Sequence, residues 1–252
     1  MRIGIAGMGV VGKAVYHGFS PTYPDIKTFD VADPSTSIED LFECDYIFIC
    51  VPATEVESLA YTIATCTERE DITFILKSTV VPGTTEKLQD ICGNDWVFNP
   101  EFLTDRSANQ DFINSPKFII GGTGSDATDR VEDLYRERFR HTPIFKTSSS
   151  CAEFIKYMTN LYFMTKISFM NEMRNTSDKL GLPWDSVMKM FVSDGRICHS
   201  HLEVPGHDGK RGFGGKCFPE NINTYLEWTE KMGIRADLIQ SVKEVNDQNR
   251  ID

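Results

Sequence analysis

Seven short apolar runs punctuate the first part of the chain: RIGIAG (2–7), IKTFD (26–30), YIFICV (46–51), ITFILKS (72–78), WVFN (96–99), KFIIGG (117–122) and PIFK (143–146). Several are apolar almost throughout, as strands buried on both faces of a parallel sheet are. The mixed segments between them have room for helices, so the pattern predicts an α/β, doubly wound parallel sheet. The texture changes at KTSSSCAEF (146–154), where Ser148, Ser149 and Ser150 offer N-cap side chains. One helical pattern then runs to Leu180 without proline or glycine. Gly181 suits the position just past a helix and Pro183 the start of the next. A loop rich in Gly, His and Pro covers about 193–216, and helical stretches at about 219–232 and 236–249 follow it. We therefore expect an α/β domain over 1–147 and an all-α domain over 148–252.

The long helix carries Phe154, Met158, Phe163, Met164, Phe169, Met170 and Met173, a stripe that reads first as core. With 40% hydrophobic and 25% charged residues, the 252-residue composition is that of an ordinary globular protein. A formal net charge of −11 argues against a broad nucleic-acid-binding face. It leaves room for an anion held locally at a helix N-terminus. The start MRIGIAGMGVVG does not read as a signal peptide, and no run is long enough to span a membrane. The seven cysteines are scattered without a CxxC pair, which predicts reduced thiols in the cytoplasm rather than disulfides or a metal site. Cys44 and Cys50 read as core packing.

Candidate chemistry begins with GMGVVG, in which Gly7, Gly9 and Gly12 form G-x-G-x-x-G between a strand and a helical segment. In that context Gly7 permits the turn, Gly9 lets a pyrophosphate approach and Gly12 lets helix pack on strand: a Rossmann fingerprint. Val10 and Val11 belong to the same loop. Asp30 closes the second strand where a carboxylate would bind the adenosine ribose, and an acid there favours NAD over NADP. CVPAT and KSTVVPGT end later strands, which makes Val51, Pro52, Thr54, Ser78 and Thr79 cofactor neighbours or ordinary loop caps.

A second set lies further on. NPEFLTD places Glu101, with Phe102 and Leu103, after another strand end. AEFIKYMTN puts Lys156 and Asn160 four apart on one helix, either to meet a developing oxyanion together or as a solvated polar face. GFGGKCFPEN sets Cys217 after glycines and before a helix start with Pro219 in its first turn. That context suits a nucleophile more than a packed thiol.

Together, GMGVVG, YIFICVPAT, STVVPGT, NPEFLTD, the Lys156–Asn160 helix, VPGHDGKRGFGGKCFP and VKEVNDQNR resemble the UDP-glucose/GDP-mannose dehydrogenases, in family order over essentially the whole chain. The resemblance implies oxidation of the C6 alcohol of a nucleotide sugar, UDP-glucose first, to a carboxylate with two NAD reduced. It assigns Cys217 as the nucleophile that carries the thiohemiacetal and thioester, Lys156 and Asn160 to the oxyanions, Glu101 to acid–base work and Thr79 to a water. Phe213, Gly214 and Gly215 would lie against the sugar, and Glu101, Phe102 and Leu103 would line the substrate side. It also implies a homodimer through the long helix. Where relatives read Cys-[Leu/Phe]-Pro-Lys-Asp, this chain has Glu220 and Asn221, and Asp105 stands where many have Glu. Asn221 keeps the shape and hydrogen bonding of the family's aspartate but cannot take a proton. Relatives continue into a further α/β domain that grips the UDP. Without it, we expect another subunit, a separate chain or a smaller substrate to complete the pocket.

Three alternatives follow: a dehydrogenase for GDP-mannose or UDP-N-acetylmannosamine, a catalytically impaired NAD-binding homologue that needs a partner domain, and a relative of the 6-phosphogluconate or 3-hydroxyacid dehydrogenases. The last has no role for GFGGKCFP.

Overall fold

The computed structural model describes residues 1–67 and 69–250. All seven apolar runs are strands: β1 (Ile3–Ala6), β2 (Lys27–Phe29), β3 (Tyr46–Ile49), β4 (Thr73–Leu76), β5 (Asp95–Phe98), β6 (Phe118–Gly122) and β7 (Ile144–Ser148). The helices are α1 (Val10–Phe19), α2 (Ala53–Cys66), α3 (Thr84–Cys92), α4 (Ala108–Ile113), α5 (Ser125–Arg138), α6 (Ser149–Leu180), α7 (Trp184–Phe191), α8 (Cys217–Lys231) and α9 (Asp237–Asn249). A 3-10 turn covers Ile38–Leu41.

The strands form one sheet in the order β2-β1-β3-β4-β5-β6-β7. Strands β1 to β5 are mutually parallel, β6 runs antiparallel to β5, and β7 runs parallel to β6. Every residue of β1, β3 and β4 is buried, which is why these strands are apolar without alternation. One side of the sheet packs Phe19, Phe48, Phe112, Phe118, Tyr135 and Phe139 into an aromatic cluster. The other packs Ile47, Ile49, Phe74, Leu76, Trp96 and Phe98, with Trp96 stacked on Phe74 at 4.5 Å between ring centres.

The chain divides into two compact units, Met1–Lys156 and Tyr157–Asp252. The first turns of α6 count with the sheet because Ala152 and Ile155 join its core. In the second unit Met170, Leu202 and Val204 form a small core with Trp184 and Met188 packed on it. The Phe and Met positions of α6 split between two environments. Met164 and Met170 are buried, whereas Phe154, Met158, Phe169 and Met173 are exposed, and Tyr162 is exposed with them. Spacings of four, four, seven and four residues put this exposed set on one face of the helix. Among the described residues no helix is long and apolar enough to cross a membrane.

Candidate active site

The order of the sheet reverses between β2-β1 and β1-β3, and sheets of this kind take ligands at the strand ends beside such a switch. The glycine loop fills this place. Gly7, at φ +92°, accepts the left-handed turn that follows β1; a side chain there would meet the Cys50 carbonyl at 2.9 Å. A Cβ on Gly12 would collide with the Gly7 carbonyl, so glycine is what allows α1 to start this close to the strand. Gly9 has open space where its Cβ would be. An incoming diphosphate can therefore reach the backbone at the N-terminus of α1, and the loop fits NAD. Val10 is exposed and Val11 half-buried on the first turn of that helix.

Asp30 organises the loop. Its Oδ2 accepts from the Met8 N–H at 2.6 Å and its Oδ1 from the Ala32 N–H at 2.9 Å, while the Gly7 N–H reaches the Phe29 carbonyl at 2.8 Å. At the next strand ends, the Ser78 hydroxyl donates to the Val51 carbonyl, tying the β4 end to the β3 end. Thr79 is half-buried beside it, and Pro52 and Thr54 are exposed at the start of α2.

Glu101 and Lys156 meet. The Lys156 Nζ donates to Glu101 Oε1 at 2.9 Å and to the Glu101 carbonyl at 2.6 Å, and the side chains are only 5% and 15% exposed. Glu101 Oε2 takes the Leu103 N–H at 2.7 Å. Burial pushes the Glu101 carboxyl up, but the Lys156 charge, the Leu103 N–H and the Lys77 charge outweigh it. The group stays below the usual carboxylate range. Phe102 lies under the Lys156 ammonium at 5.4 Å from the ring centre.

The position of α6 over the sheet edge is set by Glu153, which is fully buried. Its carboxylate accepts from the Gly83 N–H at 2.7 Å, the Thr85 N–H at 2.8 Å and the Thr85 hydroxyl at 2.6 Å, capping α3. Burial outweighs these bonds and raises its pKa.

Three residues of this region were not singled out from sequence. Lys77, directly after β4, is 2% exposed and donates to Asn99 Oδ1 at 2.7 Å. Asn99 donates to the Ile119 carbonyl at 2.7 Å and also accepts from the Tyr135 hydroxyl. The Lys77 ammonium sits 5.5 Å from the Phe112 ring centre, and burial lowers its pKa to about 8. The available signal was a charge at the end of the otherwise apolar run ITFILKS.

In the second unit, Asn160 Nδ2 donates to Asn221 Oδ1 at 2.8 Å, with both side chains buried. Cys217 is exposed and is the first residue of α8, which begins two residues before the expected start at Pro219. Proline is tolerated there because the first-turn N–H groups have no partner inside a helix. The glycine loop before Cys217 is anchored from behind. Gly212 N–H reaches Asn171 Oδ1 at 3.1 Å, and Phe213 exchanges bonds with the Asn246 amide at 2.6 and 3.2 Å. Phe213 is buried, with its ring edge-on to Phe218, while Gly214 is half-buried and Gly215 exposed. Glu220 is exposed; burial of Tyr157, and after it the Glu220 charge, raises the Tyr157 phenol.

Two family models match successive parts of the chain. The NAD binding domain of the UDP-glucose/GDP-mannose dehydrogenase family covers residues 27–139 and the central domain of the same family covers 150–248. UDP-glucose 6-dehydrogenase TuaD of Bacillus subtilis is 34% identical over 183 residues, which is 69% of this chain and 38% of that protein. GDP-mannose 6-dehydrogenase of Pseudomonas putida is 29% identical over 236 residues, 88% of this chain and 50% of that protein. The chain thus spans about half the length of the curated relatives it matches. A solved UDP-glucose dehydrogenase from the archaeon Pyrobaculum islandicum shares the fold, with a TM-score of 0.85 at 24% identity over 98% of this chain and 68% of that one. Shared fold does not decide chemistry. The glycine fingerprint, the acid closing the second strand and the two domain matches in order do decide membership: the chain belongs to the UDP-glucose/GDP-mannose dehydrogenase family.

Proposed function

We propose that the chain is an NAD-dependent nucleotide-sugar dehydrogenase that oxidises the C6 alcohol of UDP-glucose to the carboxylate. The observation that carries this reading is the buried Glu101–Lys156 pair at the strand-end edge of the unit that holds the dinucleotide fingerprint. A carboxylate kept ionised by a buried ammonium is a proton acceptor, and the same ammonium is a donor for a developing oxyanion. Bound in the glycine loop and on Asp30, NAD supplies the hydride acceptor for both oxidations.

The Cys217 thiolate adds to the aldehyde carbon, forming a C–S bond and a thiohemiacetal whose oxyanion falls to Lys156 and Asn160. Loss of a second hydride leaves the thioester. Water, deprotonated by Glu101 and steered with Thr79, then breaks the C–S bond to give carboxylate and thiol. The N-terminus of α8 favours the thiolate, as helix N-termini do. The family resemblance assigns Phe102 and Leu103 of the first unit, and Phe213, Gly214 and Gly215 of the second, to contacts with the sugar. GDP-mannose and UDP-N-acetylmannosamine are the competing substrates.

The chain acts as a cytoplasmic homodimer. What supports the dimer is the exposed apolar face of α6, where Met158 is 53% and Phe169 51% exposed.

The test is NADH formation with each of the three nucleotide sugars, for wild type and Cys217→Ser. Two NADH per sugar in wild type, abolished in the variant, is the expected result. No NADH with any sugar overturns the reading. A second reading, an impaired homologue that still binds NAD, is favoured by one observation: the Asn221 amide, held on Asn160, cannot take a proton. NAD binding by calorimetry without turnover would establish it.

A further inference from the structure

We propose that Lys77 is a positioning residue for Glu101: seated on Asn99, two positions upstream, it holds the Asn99–Pro100–Glu101 turn and keeps a second buried positive charge near the Glu101 carboxylate. The inference rests on the reading of Glu101 as the acid–base group.

Neighbouring parallel strands put the two residues together. Leu76 at the end of β4 pairs with Phe98 at the end of β5, so the residues that follow each strand leave the sheet side by side. The Asn99 N–H joins the Leu76 carbonyl at 2.9 Å, and Lys77 returns the contact through its ammonium to Asn99 Oδ1 at 2.7 Å. A fully buried ammonium is costly, and buried lysines are rare without a carboxylate partner. This one has no carboxylate bonded to it among the described residues; its hydrogen bond goes to a neutral amide that Tyr135 already serves. Packing needs no charge there, since Phe112 supplies an apolar wall.

The charged and titratable groups around it are Cys50 at the end of β3, Glu101 after β5, Lys156 on α6 and, through Asn99, Tyr135 on α5. Glu101 is the only acid among them that is ionised at neutral pH, because burial drives the Cys50 thiol up to about 12 and Tyr135 well above its ordinary value. Lys77 and Lys156 therefore act on one carboxylate from two elements. Lys156 binds it directly and also repels Lys77, which lowers the Lys77 pKa along with burial. A positive charge near a carboxylate favours its ionised form. Removing Lys77 should therefore leave Glu101 easier to protonate.

The test is a carboxylate titration by difference infrared spectroscopy on the full chain, with the Glu101 band identified by its loss in Glu101→Gln. It is run on wild type, Lys77→Met and Lys77→Arg, alongside the pH profile of kcat with UDP-glucose. The Glu101 titration and the acid limb of kcat should both move up by about one pH unit in Lys77→Met. In Lys77→Arg, which keeps the charge, both should stay near wild type, with kcat on the acid limb exceeding that of Lys77→Met by up to about tenfold. An unchanged Glu101 titration in a folded Lys77→Met protein overturns the proposal whatever the activity. If Glu101→Gln keeps full activity, the acid–base reading of Glu101 fails instead, and the infrared titration still decides whether Lys77 acts on that carboxylate.

Discussion

Replacing Lys77 with methionine should make the protein more stable at neutral pH. Lowering a lysine pKa from 10.5 to about 8 means that its charged form is disfavoured in the fold by about 3 kcal/mol. Methionine fills a similar volume, and Asn99 Oδ1 keeps the Tyr135 hydroxyl as donor, so no buried acceptor is orphaned. The sign with pH follows from proton binding. Between pH 8 and 10.5 the unfolded chain holds a proton on Lys77 that the folded chain has released, so wild-type stability rises across that window. Below pH 8 the full cost is present; above 10.5 it has gone. Lys77→Met should therefore exceed wild type by about 3 kcal/mol at pH 7, with the gap closing towards pH 10.5. Glu101, the acid that Lys77 acts on, stays ionised in both proteins across this window and does not alter the trend with pH. The assay is urea unfolding at pH 7 and 10 in a Trp184→Phe, Trp228→Phe background, so that buried Trp96 reports the first unit alone. With an m-value of about 2 kcal/mol/M, the midpoint should rise by more than about 1 M at pH 7. A variant that is destabilised at pH 7, or a gap that does not change with pH, would refute the reasoning. A buried charge retained at a loss of stability is also what a functional role predicts.

Three further outcomes are expected. Asn221→Asp keeps an acceptor for Asn160 and adds a base, so a slow steady state after an NADH burst should speed up by about tenfold or more, and an unchanged steady-state rate argues that thioester hydrolysis does not need a base there. Glu153→Ala strips the acceptor from the Gly83 and Thr85 N–H groups and the Thr85 hydroxyl, costing about 3 kcal/mol in urea unfolding of the first unit; a loss under about 1 kcal/mol would show that water replaces the carboxylate. Met158→Glu with Phe169→Glu should give a monomer by light scattering, and a wild type that is already monomeric removes the dimer.

The fold was legible because its cause is simple. A strand buried on both faces must be apolar throughout, and runs such as YIFICV cannot be read otherwise. The reversal at β6 was not legible, since a buried strand looks the same whichever way it runs. In the site, the glycine loop was readable because Gly7 and Gly12 answer to steric demands that only glycine meets. Lys156 could not be told from a solvated lysine by spacing, because its burial depends on Glu101, 55 residues away. Lys77 and Asn99 are illegible in the sequence for the same reason. Each alone is an unremarked polar residue at a strand end, and their meaning lies in the pairing of β4 with β5.

The first two turns of α6 show how such long-range polar contacts fix a site. Ser149 and Ser150 donate to Glu86, Glu153 caps α3, and Lys156 reaches Glu101. Successive residues of a helix are rotated by about 100°, so a one-residue slip would carry all these side chains off their partners at once. Apolar packing by Ala152 and Ile155 could tolerate a small rotation; three hydrogen bonds onto one buried carboxylate could not. Glu153 therefore sets the rotation of the helix, and through it the place of Lys156 on the Glu101 carboxylate. Within the second unit, Asn160 of the same helix takes Asn221. The buried polar residues of this helix thus specify where the reactive groups stand, while the apolar residues between them supply the stability that holds the helix in place.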